Sequence, residues 1–313
     1  MIRHISRRLL LAIPTLFAVF TVIFIIVRVA PGDPATAVLG DNASQQAVES
    51  LRERMGLNEP LWRQYLVFLG DLARGDLGDS LKTSQPVWNQ IRTALPHTLE
   101  LAIAATIIGL VTGVPIGIIT AVRRNQWPDY VGRIVSLVGL SLPAFYLGIL
   151  LMYFFAVRLN WFPAVGAPPF SEPGANLHHL VLPAVTLGLI ETAYVSRMTR
   201  SAMIAVLTDD YIRTARAKGL QERAVLYKHA LRAGLIPIVS LVGIFAIGLI
   251  GSSVLVEEVF ARPGLGKLMI GATKQKDYTS LQSIMVVYAF IIVIINIITD
   301  IIYTAIDPRV RYS

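Results

Sequence analysis

Six apolar runs, each long enough or nearly long enough to cross a lipid bilayer, constrain this chain more than any other feature. They cover residues 9–29, 99–122, 134–157, 180–195, 235–256 and 284–306. A membrane-spanning helix needs about 20 apolar residues, and a soluble fold would have to bury helices of this length with almost no charge. Charged residues make up only 15% of the chain, against about a quarter in soluble domains. The sequence therefore predicts an all-α polytopic membrane protein with six transmembrane helices.

Basic residues gather in alternate loops, and this bias predicts the orientation. If the N-terminus lies inside, the cytoplasmic pieces carry 16 of the 28 Lys and Arg, as the positive-inside rule requires. Both termini are then cytoplasmic. Topology accounts for the net charge of +8, so no nucleic-acid partner is expected. The first apolar run is longer than a signal-peptide core and no small-x-small cleavage site follows it, so 1–29 is expected to stay as a cytoplasmic N-terminus and first span.

An extracytoplasmic segment, 30–96, follows the first span. It begins at a Pro31-Gly32-Asp33-Pro34 turn and contains two helical stretches, 45–55 and 62–72, separated by a break at 56–61. The second stretch places Trp62, Tyr65, Leu66 and Leu69 on one face. A glycine-rich turn at 75–80 returns the chain to the membrane. We expect a small helical segment resting on the outer mouth of the bundle.

Small residues and prolines inside the apolar runs predict close packing and kinks. Gly109, Gly113 and Gly117 recur every fourth residue, a spacing typical of tight contact between membrane helices. Membrane helices also tolerate internal prolines as elements of shape, and here they are Pro14, Pro115, Pro143, Pro183 and Pro237.

The polar loop 208–237 is the most informative segment for function. Thr208 or Asp209 is a suitable N-cap for a helix from Asp209 to Lys218, Gly219 suits a left-handed helix end, and a second helix is expected from Gln221-Glu222. The helix combines small and non-basic residues with projecting cations, a pattern that favours docking of another protein. A basic amphipathic helix lying on anionic lipid is the alternative.

The loop resembles the cytoplasmic EAA loop of bacterial ABC importer permeases. Its general form, Glu-Ala-Ala, three residues, Gly, nine residues, Ile-x-Leu-Pro, is matched only at Ala215, Gly219 and Leu231. The run from Tyr211 to Gly219, followed by His229-Ala230-Leu231-Arg232, is similar to the version in dipeptide and oligopeptide permeases. Further similar stretches, in the same order and over nearly the whole chain, are Gly75-Asp76-Leu77-Gly78-x-Ser80, Arg197-x-x-Arg200-Ser201, Glu257-x-Val259-Phe260, Pro263-Gly264-Leu265-Gly266, Asp277-Tyr278 and the tail ending Asp307-Pro308-Arg309-Val310-Arg311.

The resemblance implies the type I ABC importer permease fold and a five-part machine in the bacterial cytoplasmic (inner) membrane. The implied partners are a second homologous permease, in a heterodimer or a homodimer, two cytoplasmic ATPases holding ATP and Mg²⁺, and an extracytoplasmic binding protein, with membrane lipid around them. The permease core would span 97–307, including loop 208–237, and 308–313 would be a cytoplasmic tail. Di- or oligopeptides are the expected substrates, with glutathione or nickel as alternatives. The implied ATPase-coupling residues are Tyr211, Arg213, Thr214, Ala215, Ala217, Lys218, Gly219, Leu220 and Leu231.

The chain itself is not expected to be an enzyme. Gly264-Leu265-Gly266-Lys267 superficially suggests a phosphate-binding loop, but Ala261 and Leu268 stand where such a loop needs Gly and Ser or Thr. We therefore expect no cofactor and no metal on this chain, and the absence of cysteine excludes thiol chemistry. The rival classes are a stand-alone secondary transporter, which would favour inverted repeats and mid-membrane charges, and a membrane scaffold.

Glu191, in the fourth apolar run, is the one weak candidate for the substrate path. Ionisable residues inside membrane spans are functional candidates by default, and a carboxylate there could attract a peptide amino group. Pairing with a neighbouring helix is the alternative.

Overall fold

The computed structural model describes residues 2–29, 34–40 and 43–306, and over these residues the chain is helical without β-strands. Its helices are α1 (Ile2–Val29), α2 (Pro34–Leu39), α3 (Gln45–Arg54), α4 (Leu61–Ala73), α5 (Val87–Val122), α6 (Trp127–Ser141), α7 (Ala144–Leu151), α8 (Pro173–Leu207), α9 (Asp210–Ala217), α10 (Glu222–Ala224), α11 (Leu231–Val259), α12 (Leu265–Lys274) and α13 (Tyr278–Ile306). Two π-helical stretches, Met152–Arg158 and Val225–Ala230, follow α7 and α10. The predicted turn residues 31–33 and the tail 308–313 lie outside the described residues.

Five of the described helices are long and apolar enough to cross a membrane: α1 from Arg8, α5, α8, α11 from Pro237, and α13 to Thr304. A sixth span would come from α6 and α7 taken together, which meet at an angle of 103°. The run 134–157, predicted as one span with an internal proline at Pro143, is therefore two helices and not one kinked helix. Pro143 ends the first of them, because proline lacks an N–H and holds the preceding residue in extended geometry: Leu142 has φ −89° and ψ 129°.

The chain divides into two units. One contains 6–97 and 263–294, and in it α1, α4 and α13 share an apolar cluster that includes Phe20, Ile23 and Val286. The predicted packing face of α4 is correct at Tyr65 and Leu69 and wrong at Trp62 and Leu66, which are exposed. The face instead runs through Tyr65, Phe68, Leu69 and Leu72, the i, i+3, i+4, i+7 spacing of one helical stripe.

Asp277 organises the polar end of this unit. Its carboxylate accepts hydrogen bonds from the hydroxyls of Ser80 (2.6 Å) and Ser280 (2.7 Å) and from the backbone N–H of Leu81 (3.2 Å). Two stretches noted in the sequence, around Gly75–Ser80 and Asp277, therefore meet in space. Gly78 has φ +74°, a conformation that glycine adopts without strain, and it places the turn against Thr279.

The other unit contains 2–5, 98–262 and 295–306 of the described residues. In it, α5 packs against α8 along the predicted glycine series. A Cβ atom on Gly109 would lie 2.7 Å from Glu191 Cγ, and one on Gly113 would lie 2.8 Å from Val195 Cβ. Gly117 faces Thr199 one turn further on. Helices can approach this closely only where side chains are absent, so the prediction of a packing role for these glycines is confirmed.

Candidate coupling site

Helix α9 is held against the membrane helices by its inner face. Ile212 is fully buried and Ala215 is 7% exposed, and both join a cluster with Met203 of α8, Val225 and Ala230. Ile118 and Ala121 of α5 complete this cluster. Because these apolar contacts involve several elements, a force on α9 would reach α5 and α8 directly.

The end of α9 is a Schellman motif, as the glycine predicts. Gly219 has φ +75°, and its N–H donates to the Arg216 carbonyl at 2.9 Å. The N–H of Leu220 donates to the Ala215 carbonyl at 3.4 Å, which is the 6→1 bond of the motif. At the other end, Asp209 occupies the N-cap with extended geometry, but its side chain makes no capping hydrogen bond.

An ion pair bridges the Gly219 turn. Arg216 Nε and Nη2 donate to the two carboxylate oxygens of Glu222 at 3.1 and 2.7 Å. The hydrogen bond from Arg216 lowers the pKa of the Glu222 carboxyl, and both side chains remain about half exposed. This pair joins the last turn of α9 to the first residue of the following helix. Sequence reasoning missed it, although an arginine and a glutamate flanking a glycine turn are a visible signal.

The outer face of α9 is open to solvent. Tyr211, Thr214 and Ala217 are exposed, as are the cations Arg213 and Lys218 and the turn residues Gly219 and Leu220. Burial and the nearby Asp209 carboxylate raise the pKa of the Tyr211 hydroxyl. The small side chains of Thr214 and Ala217, with basic residues beside them, form a surface onto which another protein can pack closely.

Two members of the predicted coupling set face the wrong way for docking. Ala215 is buried, and Leu231 is half-buried against the same internal cluster. On α9, residues 212 and 215 share one face because they are three apart, and the apolar contact made by Ile212 carries Ala215 inward with it. The residues available to a partner are thus Tyr211, Thr214 and Ala217, with the surrounding cations.

The predicted second helix begins where expected and then runs on without a break. Gln221 is the N-cap of α10, the π-helical stretch Val225–Ala230 follows, and α11 continues to Val259. The polar loop and a membrane span are therefore one continuous helix. A movement of the chain at Gly219 would therefore be transmitted to α11, because no flexible segment separates the two.

A buried ion pair lies between α6 and α8. Asp129 is fully buried and accepts from Arg200 Nε at 2.6 Å and Nη2 at 2.8 Å, and from the backbone N–H of Asn125 at 2.9 Å. Arg133 lies 3.5 Å from the same carboxylate. Arg200 belongs to a stretch singled out in the sequence, whereas Asp129 was not predicted, because its partner is 71 residues away.

Glu191 is buried between α5 and α8, with 1% of its surface exposed. Neither carboxylate oxygen makes a hydrogen bond within the described part of the chain, and Thr106 is a hydroxyl within interaction range. The carboxylate is thus not open to a passing molecule in this conformation. Its contact with substrate stays a prediction.

Taken together, the fold and the loop define a multi-pass membrane protein that presents a short amphipathic helix, α9, between two of its spans. Two family models match the chain. Residues 113–312 match the binding-protein-dependent transport system inner membrane component, and residues 1–102 match the N-terminal part of such membrane components.

Curated relatives match over the whole chain. The dipeptide transport system permease protein DppB of Alkalihalophilus pseudofirmus is 41% identical, and the glutathione transport system permease protein GsiC of Escherichia coli K12 is 39% identical, each with 100% of both chains covered. Among solved structures, the MetNI methionine ABC transporter aligns with a TM-score of 0.58, 22% identity and coverage of 72% of this chain and 100% of that one. An amino acid ABC transporter aligns with a TM-score of 0.51, 17% identity and coverage of 71% of this chain and 94% of that one.

The chain belongs to the family of binding-protein-dependent transport system inner membrane components. It is a permease subunit of the ABC importer class, and the predicted type I permease fold is confirmed.

Proposed function

We propose that this chain carries di- or oligopeptides through the cytoplasmic membrane, driven by two ATPase subunits that hold ATP and Mg²⁺. The names of the full-length relatives, a dipeptide permease and glutathione permeases, support a peptide substrate. A second homologous permease and an extracytoplasmic binding protein complete the proposed assembly. The basic loops favour cytoplasmic placement of both termini and of loop 208–237.

The observation that carries this proposal is the two-sided character of α9. Ile212 and Ala215 tie it to the membrane helices, while Tyr211, Thr214 and Ala217 remain exposed. Closure of the ATPase pair on ATP would push this outer face, and the continuous helix from Glu222 to Val259 would carry the displacement into the membrane. This is a two-state element biased by nucleotide.

Glu191 has a proposed role within the same cycle. A carboxylate buried in a membrane span without an ion pair is costly. Separation of α5 from α8 would expose it to the transport path, where it could bind the amino group of a peptide.

The test compares transport by complexes carrying Ala217→Glu and Ala175→Glu. Both alanines are exposed, but Ala175 lies in the first turn of α8, far along the chain from α9. In membrane vesicles supplied with the binding protein, a dipeptide and ATP, Ala217→Glu should reduce uptake at least about tenfold, because an unpaired charge is forced into an interface. Ala175→Glu should transport normally. Normal uptake by the Ala217→Glu complex would refute the proposal.

A further inference from the structure

A pocket opens on the side of the helical bundle between α5, α6 and α8. Its volume is about 260 Å³. The three helices are all candidate membrane spans or parts of one, so the pocket belongs to the part of the chain expected to lie within the membrane. It is independent of loop 208–237 and of Glu191.

The residue-to-residue contacts of α6 with α5 and α8 show how the pocket is oriented. Gly132 of α6 faces Thr120 near the end of α5, the hydroxyls of Ser136 and Ser196 are 3.2 Å apart, and Gly139 faces Ala193. Helices α6 and α8 therefore run antiparallel, with Asp129 and Arg200 at one end. Moving along α6 from Arg133 to Leu140 leads about 10 Å deeper into the membrane.

The two ends of the pocket differ in chemistry. By register, Arg133, Arg197 and Arg200 line the end near the helix termini, whereas Leu137 and Leu140 line the deeper part. Among the described residues that line the pocket, none is acidic. Such a gradient from cation to hydrocarbon matches the headgroup and the acyl chain of a phospholipid.

The charges at the headgroup end are not balanced. Asp129 beside the pocket takes up Arg200 through the bidentate contact and lies 3.5 Å from Arg133. Arg197 is exposed and makes no ion pair with any described residue. One carboxylate against three guanidinium groups leaves an excess of two positive charges.

We propose that this pocket binds one anionic phospholipid, with its phosphodiester held by Arg133 and Arg197 and the start of an acyl chain against Leu137 and Leu140. Basic pockets between membrane helices are known headgroup sites, and arginine pairs with phosphate through two parallel hydrogen bonds. Asp129 has a positioning role, since its bidentate contact holds Arg200 away from the phosphate. Arg133, although 3.5 Å from Asp129, remains 45% exposed, and Arg197 is exposed, so both can reach the phosphate.

Native mass spectrometry of the purified full-length chain tests this proposal, with palmitoyl-oleoyl phosphatidylglycerol as the probe and phosphatidylcholine of the same acyl chains as the neutral comparison. The wild type should retain phosphatidylglycerol preferentially. Each of Arg133→Gln and Arg197→Gln should weaken retention about fivefold, and the double variant about thirtyfold. Arg124→Gln is the matched control, since Arg124 is exposed between α5 and α6 and lies outside the pocket.

A variant that changes only the volume of a side chain distinguishes lipid binding in the pocket from attraction of lipid to surface charge in general. Leu137 is exposed and Leu137→Trp changes no charge, so this variant should fold. It should still lower phosphatidylglycerol retention, because the larger side chain fills the acyl-chain end of the pocket. Equal losses in Arg124→Gln and in the pocket variants would overturn the proposal, as would equal retention of the two lipids. It would also fail if a thiol probe on Leu137→Cys cross-linked to another permease subunit, because the pocket would then be a subunit interface.

Discussion

The α5–α8 seam and helix α9 both rely on small side chains, but for opposite purposes. In the seam, Gly109, Gly113 and Gly117 bring two segments of the same chain into contact. On α9, the small side chain of Ala217 lies on an open surface. In both cases the small side chain allows a neighbouring element to approach the helix closely. The surroundings decide whether the contact is internal or is left for another protein, and the following predictions probe that difference.

The largest effect is expected in the seam. Gly113→Leu would drive a side chain into Val195, which is already within contact distance of a bare Cβ, and overpacking of this kind costs about 1–3 kcal/mol or more. The variant should unfold at a clearly lower temperature in detergent, as measured by intrinsic fluorescence.

Gly248→Leu is the control for that variant. Gly248 is also inside a long helix, but a Cβ atom added to it would meet no atom within 4 Å beyond its own helix and its chain neighbours. Unfolding of Gly248→Leu at the wild-type temperature, together with a large drop for Gly113→Leu, would show that close approach matters. Equal unfolding temperatures for the two variants would mean that the seam is not tightly packed.

The buried ion pair beside the seam should matter about as much. Asp129→Asn leaves Arg200 without its carboxylate partner, and breaking a buried pair costs about 3 kcal/mol. Asp210→Asn removes a carboxylate that is 95% exposed and pairs with Arg213 at 3.4 Å, so it should change stability by less than about 0.5 kcal/mol. Thermal unfolding of the two variants side by side measures the contrast, and a similar loss in both would contradict it.

The same alanine-to-glutamate substitution, made on each face of α9 in turn, distinguishes the roles of the two faces. Ala215→Glu would bury a carboxylate among Ile212, Met203 and Val225, which should lower the amount of folded protein. Ala217→Glu should leave folding intact and impair transport. Membrane yield and uptake, measured for both, distinguish the two outcomes. If both variants folded equally well and both failed in transport, Ala215 would be a docking residue after all.

The smallest effect is expected from the exposed pair across the Gly219 turn. Because Arg216 lowers the pKa of Glu222, the stabilisation is present above the unfolded-state pKa of glutamate and is lost as pH falls through the lower folded-state value. Glu222→Gln should therefore be slightly less stable than the wild type at pH 7, and the gap should close below about pH 4. A pH series of unfolding temperatures checks this, and a gap that widened on acidification would contradict it.

Much of the architecture follows from the sequence because the bilayer imposes it. Apolar runs predict the spans, and Gly219 predicts the left-handed helix end. The break at Pro143 was not predicted, since proline is tolerated inside other spans of this chain, such as α8 at Pro183, and only packing decides between a kink and a break.

The Asp129–Arg200 pair was also beyond the reach of sequence reasoning. These two residues are joined only by the packing of α6 on α8, and local periodicity does not contain tertiary contacts. The inward orientation of Ala215 was missed, although the aliphatic Ile212 lies three positions before it on α9 and indicates the face on which that alanine lies.

The most direct test of the central proposal, that α9 couples this permease to an ATPase, is cross-linking from Ala217→Cys. The natural chain has no cysteine, so a bifunctional thiol reagent on this single residue reports one position. In the assembled complex, carrying an ATPase with one engineered surface cysteine in its docking cleft, we predict a cross-linked permease–ATPase product whose yield changes on addition of ATP. Full solvent accessibility of Ala217→Cys in that complex, with no cross-linked product in either nucleotide state, would contradict the account.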